Sequence, residues 1–142
     1  MPRVSVWYIR AALVHLVSGA FLGAFYLTFK AVGWPGFALS HLPVHQEQML
    51  VGWLVQLVMG VALWILPRPA GWEPRRSAPA LWSVFVLLNA GVLVAALGGD
   101  PALPASLAWI GRAAEALAVV LFALHAWNRQ QPYRARSRRV IV

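Results

Sequence analysis

Four apolar runs divide the chain, each bounded by polar, proline-rich or arginine-rich sequence, and each long enough to cross a hydrocarbon layer as a helix. The pattern predicts helices over approximately 6–27, 46–66, 80–97 and 107–127. The fold class that follows is an all-α integral membrane protein: a four-transmembrane-helix bundle forming one domain over 1–142, with a basic tail over 128–142. The second run organises the others. It reads HQEQMLVGWLVQLVMGVALWILPRP from His45 to Pro69. Successive helical residues turn by about 100°, so His45, Met49, Gly52, Gln56, Gly60 and Leu63 share a face that carries a ligand-capable ring, an amide and two glycines.

The opening segment MPRVSVWYIRAALVHLVSGAFLGAFYL has a basic start before its apolar stretch, as a signal peptide does. Its apolar run is longer than a signal peptide's, and no small-residue cleavage site precedes a polar chain, so it reads as the first spanning helix. Gly19-x-x-x-Gly23, beside Ser18 and His15, forms a strip that another helix can approach closely. KAVGWPGFALSHLPVH then reads as an interfacial loop that delivers the chain to His45.

Composition supports the membrane assignment: 61% of residues are hydrophobic, 11% are charged, and the mean hydropathy is +0.67. The absence of cysteine excludes disulfides, thiolate metal sites and covalently attached c-type haem. A net charge of +8 would suit nucleic acid, but the basic residues sit at helix ends, so no nucleic-acid partner is expected. The tail's arginines instead suit membrane lipids, at about 1 kcal/mol per basic residue near an anionic surface. The positive-inside rule places both termini and the second loop in the cytoplasm. That orientation puts Arg3, Arg10, Arg68, Arg75, Arg76, Arg129, Arg134, Arg136, Arg138 and Arg139 inside and leaves Lys30 and Arg112 toward the outside. The expected location is the cell inner (plasma) membrane, multi-pass, with His45 at the outer surface.

The order His45, Met49, Gly60, Pro67 resembles the second transmembrane helix of the haem–copper oxidase and nitric oxide reductase main subunits (subunit I). Met59-Gly60 and Trp53 look most like the nitric oxide reductase branch. The resemblance covers the family's first four helices, the third and fourth only in apolar character and in fragments such as LLNAGVLV and LFALHAWN. It implies that His45 ligates the iron of a non-covalent haem b. In the family a histidine triad and a second axial ligand come from later helices, and nothing within these four supplies them. The resemblance therefore implies a half-site, without a catalytic binuclear centre.

The remaining polar residues in the apolar runs are candidates in their own right, because ionisable groups are costly there. Arg112 and Glu115 are one turn apart and can pair, and Arg112 lies at a depth where it could instead hold a haem propionate. His15 reads as a second-site ligand or, preferably, a hydrogen-bonded core histidine. His125 reads as an interfacial residue near a helix end. His41 is four residues before His45, a metal-ligand spacing, but Pro43 argues against a continuous helix from His41.

The expected function is a membrane b-type haem protein acting in electron transfer or gas-ligand binding (NO, CO or O2). His45 would be its axial ligand, Met49, Gly52, Gln56 and Gly60 would line the pocket, and Arg112 would hold a propionate. The missing ligand would come from a second copy in a homo-oligomer, a dimer or higher. The alternative is a cofactor-free accessory or assembly subunit of a respiratory oxidase or nitric oxide reductase complex. A small transporter would need a polar pathway through the midplane, for which His15, Gln56, Asn89 and Glu115 are the available residues.

Overall fold

The computed structural model describes residues 1–34, 36, 41–66, 74–100 and 102–127, with the backbone alone over 74–78. Described secondary structure is helical throughout. Helix α1 spans Arg3–Ala31, α2 Leu42–Ile65, α3 Pro74–Leu97 and α4 Ser106–Trp127. All four are long and apolar enough to cross a membrane. Of the expected basic loop over 68–79, residues 68–73 lie outside the described residues and 74–79 are helical, and the basic tail over 128–142 lies outside the described residues as well.

The helix ends follow local chemistry. After α1, Gly33 takes φ +89°, and Trp34 N–H donates to Phe29 O at 2.9 Å, which closes the last turn through a left-handed glycine. Helix α2 begins a turn earlier than the expected 46, since Pro43 falls in the first turn, where a missing N–H costs nothing. It stops at Leu66, whose extended backbone (ψ 133°) is the conformation that the following Pro67 imposes. Helix α3 also starts early, at Pro74 rather than 80, and carries Pro79 within it.

The helices pair as α1 with α2 and α3 with α4, and contacts of α3 with α1 and α2 join the pairs. At one end of the bundle the core is apolar: Val4, Met59, Leu63, Leu81, Val84, Leu88, Ala118 and Phe122 pack around Tyr8. The Tyr8 ring lies 5.1 Å from that of Phe85, and its hydroxyl donates to Leu81 O at 3.0 Å. Ser5 Oγ donates to Gly60 O at 2.7 Å, so the hydroxyls at this end are satisfied by helix carbonyls. Elsewhere polar side chains are interleaved with the apolar interior. His15, Glu47, Gln48, Gln56 and Glu115 are buried, while Val14, Val17, Phe21, Trp109 and Leu117 face outward. Such an exterior suits a hydrocarbon solvent, in which polar groups are best satisfied inside the bundle.

Small residues set both pairings. Between α3 and α4, a Cβ on Gly98 or Gly111 would run into the backbone of Ala108 or Ala95, and one on Gly91 would lie 2.9 Å from Glu115 Cγ. Between α1 and α2, the Gly19-x-x-x-Gly23 strip receives α2 as its spacing predicts.

Candidate functional site

The α1–α2 contact is a series of side chains seated on glycines of the facing helix. His45 lies on Gly23, where a Cβ would come within 2.7 Å of its Cε1, and Met49 Sδ and Gln48 Cβ lie on Gly19 at 2.8 and 3.1 Å. Going the other way, His15 sits on Gly52 (Cγ 2.6 Å) and Tyr8 on Gly60 (Cβ 2.9 Å). Helix α2 widens into π-helical turns over Gln48–Val55. In a pure α-helix, positions four apart drift by about 40° per step. The wider turns offset that drift and keep Gln48, Gly52, Gln56 and Gly60 buried in register. Inserted π turns of this kind recur at functional sites, and this one was not legible in the hydrophobic pattern.

His45 is held from one side only. Its Nδ1 donates to Gly19 O at 2.8 Å, which leaves the lone pair on Nε2, and Nε2 has no hydrogen-bond partner among the described residues. An N–H given to a backbone carbonyl is how a ligating imidazole is oriented and its tautomer selected. His41 precedes the first turn of α2 and its ring faces Tyr26, 6.3 Å between centroids, so the two histidines do not share a helical face. Among the described residues no group of three or more His, Asp or Glu side chains is placed to hold a metal ion.

His15 is the centre of a buried polar cluster. Its Nδ1 lies 2.5 Å from Gln48 Oε1 and its Nε2 3.0 Å from Asn89 Oδ1. Asn89 Nδ2 donates to Phe85 O at 2.8 Å, and the Ser18 hydroxyl lies 3.1 Å from both Gln48 Oε1 and His15 O. The hydrogen-bonded reading of His15 holds, and Asn89 is one of its partners. Gln48, the other, was passed over in the sequence because its neighbours at 45 and 49 carried the motif.

The expected Arg112–Glu115 pair does not form. Arg112 Nε donates instead to Glu47 Oε1 at 2.9 Å, from α4 to α2. Glu115 points at α3 against Gly91, and its buried Oε1 has no hydrogen-bond partner. The fully buried Gln56 likewise has neither amide atom bonded. Glu47 was the residue overlooked here, although an acid beside an apolar run is itself a signal.

For a porphyrin, these positions divide. His45 offers an oriented nitrogen, and Arg112, with half its side chain exposed, keeps guanidinium N–H groups beyond the one given to Glu47. Met49, Gly52 and Gly60 are packed against α1, and Gln56 is enclosed with them, so their face is filled by a helix and not open to a macrocycle. No protein-family model, curated protein or solved structure matches the chain.

Proposed function

We propose that this chain is a multi-pass inner-membrane protein that binds haem b non-covalently through His45, without a catalytic binuclear centre. The observation that carries the reading is the His45 Nδ1–H bond to Gly19 O, which presents Nε2 as a free ligand. In the proposed orientation both termini are cytoplasmic, and His45 and Arg112 lie toward the outer surface. There Arg112 would hold a propionate. A haem in that place supplies one-electron transfer or an open position for a gas ligand. One ligating histidine per chain would leave the other side of the iron to a second copy or to the gas, so a homo-oligomer fits the electron-transfer variant. The resemblance of the second helix to oxidase and nitric oxide reductase main subunits supports the same assignment.

The test is an absorption spectrum of the detergent-purified protein, oxidised, then dithionite-reduced, then exposed to carbon monoxide. Sharp reduced bands that carbon monoxide leaves unmoved are expected for a shared six-coordinate haem, and shifted bands for an open iron. Either spectrum should vanish in His45→Ala; a variant with undiminished haem would overturn the ligand.

A second reading has its own observation. Met49, Gly52 and Gly60 are packed against α1, as in a cofactor-free accessory subunit of a respiratory complex. A colourless protein that copurifies with larger membrane subunits would decide for it.

A further inference from the structure

Both ring nitrogens of His15 face side-chain oxygens, Gln48 Oε1 on one side and Asn89 Oδ1 on the other. An uncharged imidazole has one N–H and one lone pair, and only the imidazolium donates twice. The Asn89 orientation is fixed independently, because its Nδ2 is committed to Phe85 O. Gln48 is fixed only by Ser18, whose single hydroxyl hydrogen has two oxygens within 3.1 Å, Gln48 Oε1 and His15 O.

We propose that His15, with Ser18, Gln48 and Asn89, forms a proton-binding site in the middle of the bundle that switches between two states, in each of which both ring nitrogens of His15 are hydrogen-bonded. In the loaded state the imidazolium donates Nδ1–H to Gln48 Oε1 and Nε2–H to Asn89 Oδ1. When the Nδ1 proton leaves for bulk water, the Gln48 amide turns by half a rotation and its Nε2 donates to the vacated lone pair and to Ser18 Oγ. Ser18 then gives its hydrogen to His15 O, and Nε2–H stays on Asn89. Neither ring nitrogen of His15 is left unpaired in either state, which matters because a buried unpaired polar group costs about 1–3 kcal/mol.

The surroundings are built for this ring. Gly52 leaves a space of its shape, since a Cβ there would lie 2.6 Å from Cγ and 2.8 Å from Nδ1. The charged groups on the packed elements are few. Helix α2 brings Glu47, beside Gln48 and paired with Arg112 of α4; α4 also brings Glu115, whose buried Oε1 has no hydrogen-bond partner among the described residues; among its described side chains α3 presents the neutral Asn89.

The experiment is an infrared pH titration of the protein in lipid bilayers with isotope-labelled histidine rings, on a His41→Asn/His45→Asn/His125→Asn variant that keeps only His15. Losing His45 also removes the proposed haem site, so failure of the haem reading leaves this test intact. The expected result is reversible replacement of imidazolium bands by those of the neutral Nε2–H tautomer, accompanied by a shift of the Gln48 side-chain carbonyl band. Gln48→Glu, which when ionised offers no donor to Nδ1, should hold the ring as imidazolium at a pH where the Gln48 protein has released its proton. A ring that stays in one neutral tautomer throughout, or that titrates while the amide band stands still, overturns the proposal. Should the triple variant not fold, the intact chain is titrated instead. The amide band then reports His15, and Gln48→Met must abolish the shift.

Discussion

Arg112 on α4 gives its Nε to Glu47 on α2 at 2.9 Å, although Glu115 stands one turn away on its own helix. The choice follows from where α4 faces. Glu115 is buried against Gly91 of α3, while half of the Arg112 side chain remains exposed beside α2. The ion pair thus ties the two helix hairpins together at a level where an unpaired Glu47 would be enclosed without a counter-charge.

A double-mutant cycle resolves the pairing. Arg112→Gln and Glu47→Gln should show a coupling of roughly 1 kcal/mol, the upper range for a partly exposed pair. The cycle of Arg112→Gln with Glu115→Gln should give less. Unfolding in mixed detergent measures both, and the larger coupling falling to Glu115 would mean that the cross-helix pair is not the one populated.

Gly52→Ala should destabilise the fold by about 1–3 kcal/mol, since the new methyl displaces the His15 ring from Gln48 and Asn89. Gly36→Ala is the control, because no atom of the described residues lies within 4 Å of a Cβ placed there. Equal melting temperatures for the two variants would contradict the seating of His15 on α2.

Gly111→Ala should be costlier, about 3 kcal/mol, because its methyl meets the Ala95 backbone rather than a side chain that can rotate away. Thermal unfolding followed by circular dichroism checks the ranking of Gly111→Ala below Gly52→Ala. A reversed order would show that α3 and α4 can separate more easily than their contact suggests.

Gly23→Ala bears on the haem reading without touching the ligand. Its methyl would come 2.7 Å from His45 Cε1 and push the ring off its Gly19 carbonyl. Haem content per protein should fall several-fold while the helical spectrum stays unchanged. Full haem loading in this variant would mean that the Gly19 bond does not orient the ligand.

Much of the architecture was legible in the sequence because apolar runs of this length have few other fates. The boundary of α4 was read to within a residue, and the Gly19–Gly23 strip was read as a helix contact, which it is. Helix starts were read less well. Pro43 and Pro74 looked like loop residues, yet each lies in a first turn, where proline is accepted. The polar partners were legible only as a set. His15, Asn89, Arg112 and Glu115 were each noticed, but sequence spacing can pair residues on one helix and cannot say which neighbour faces them.

What the sequence determined by itself is the number of long apolar helices, their approximate limits and the Gly52, Gln56, Gly60 and Leu63 part of the buried stripe of α2, from hydropathy and helical periodicity; the π turns that bring Gln48 onto that stripe were not in the pattern. What only the tertiary structure decided is the use of that stripe. Met49, Gly52 and Gly60 meet α1, His15 joins α2 to α3, and Arg112 passes over Glu115 for Glu47. The physical reason is that a glycine marks where backbones can close up without naming the side chain that will fill the space. A buried polar group likewise demands a partner without specifying which helix provides it.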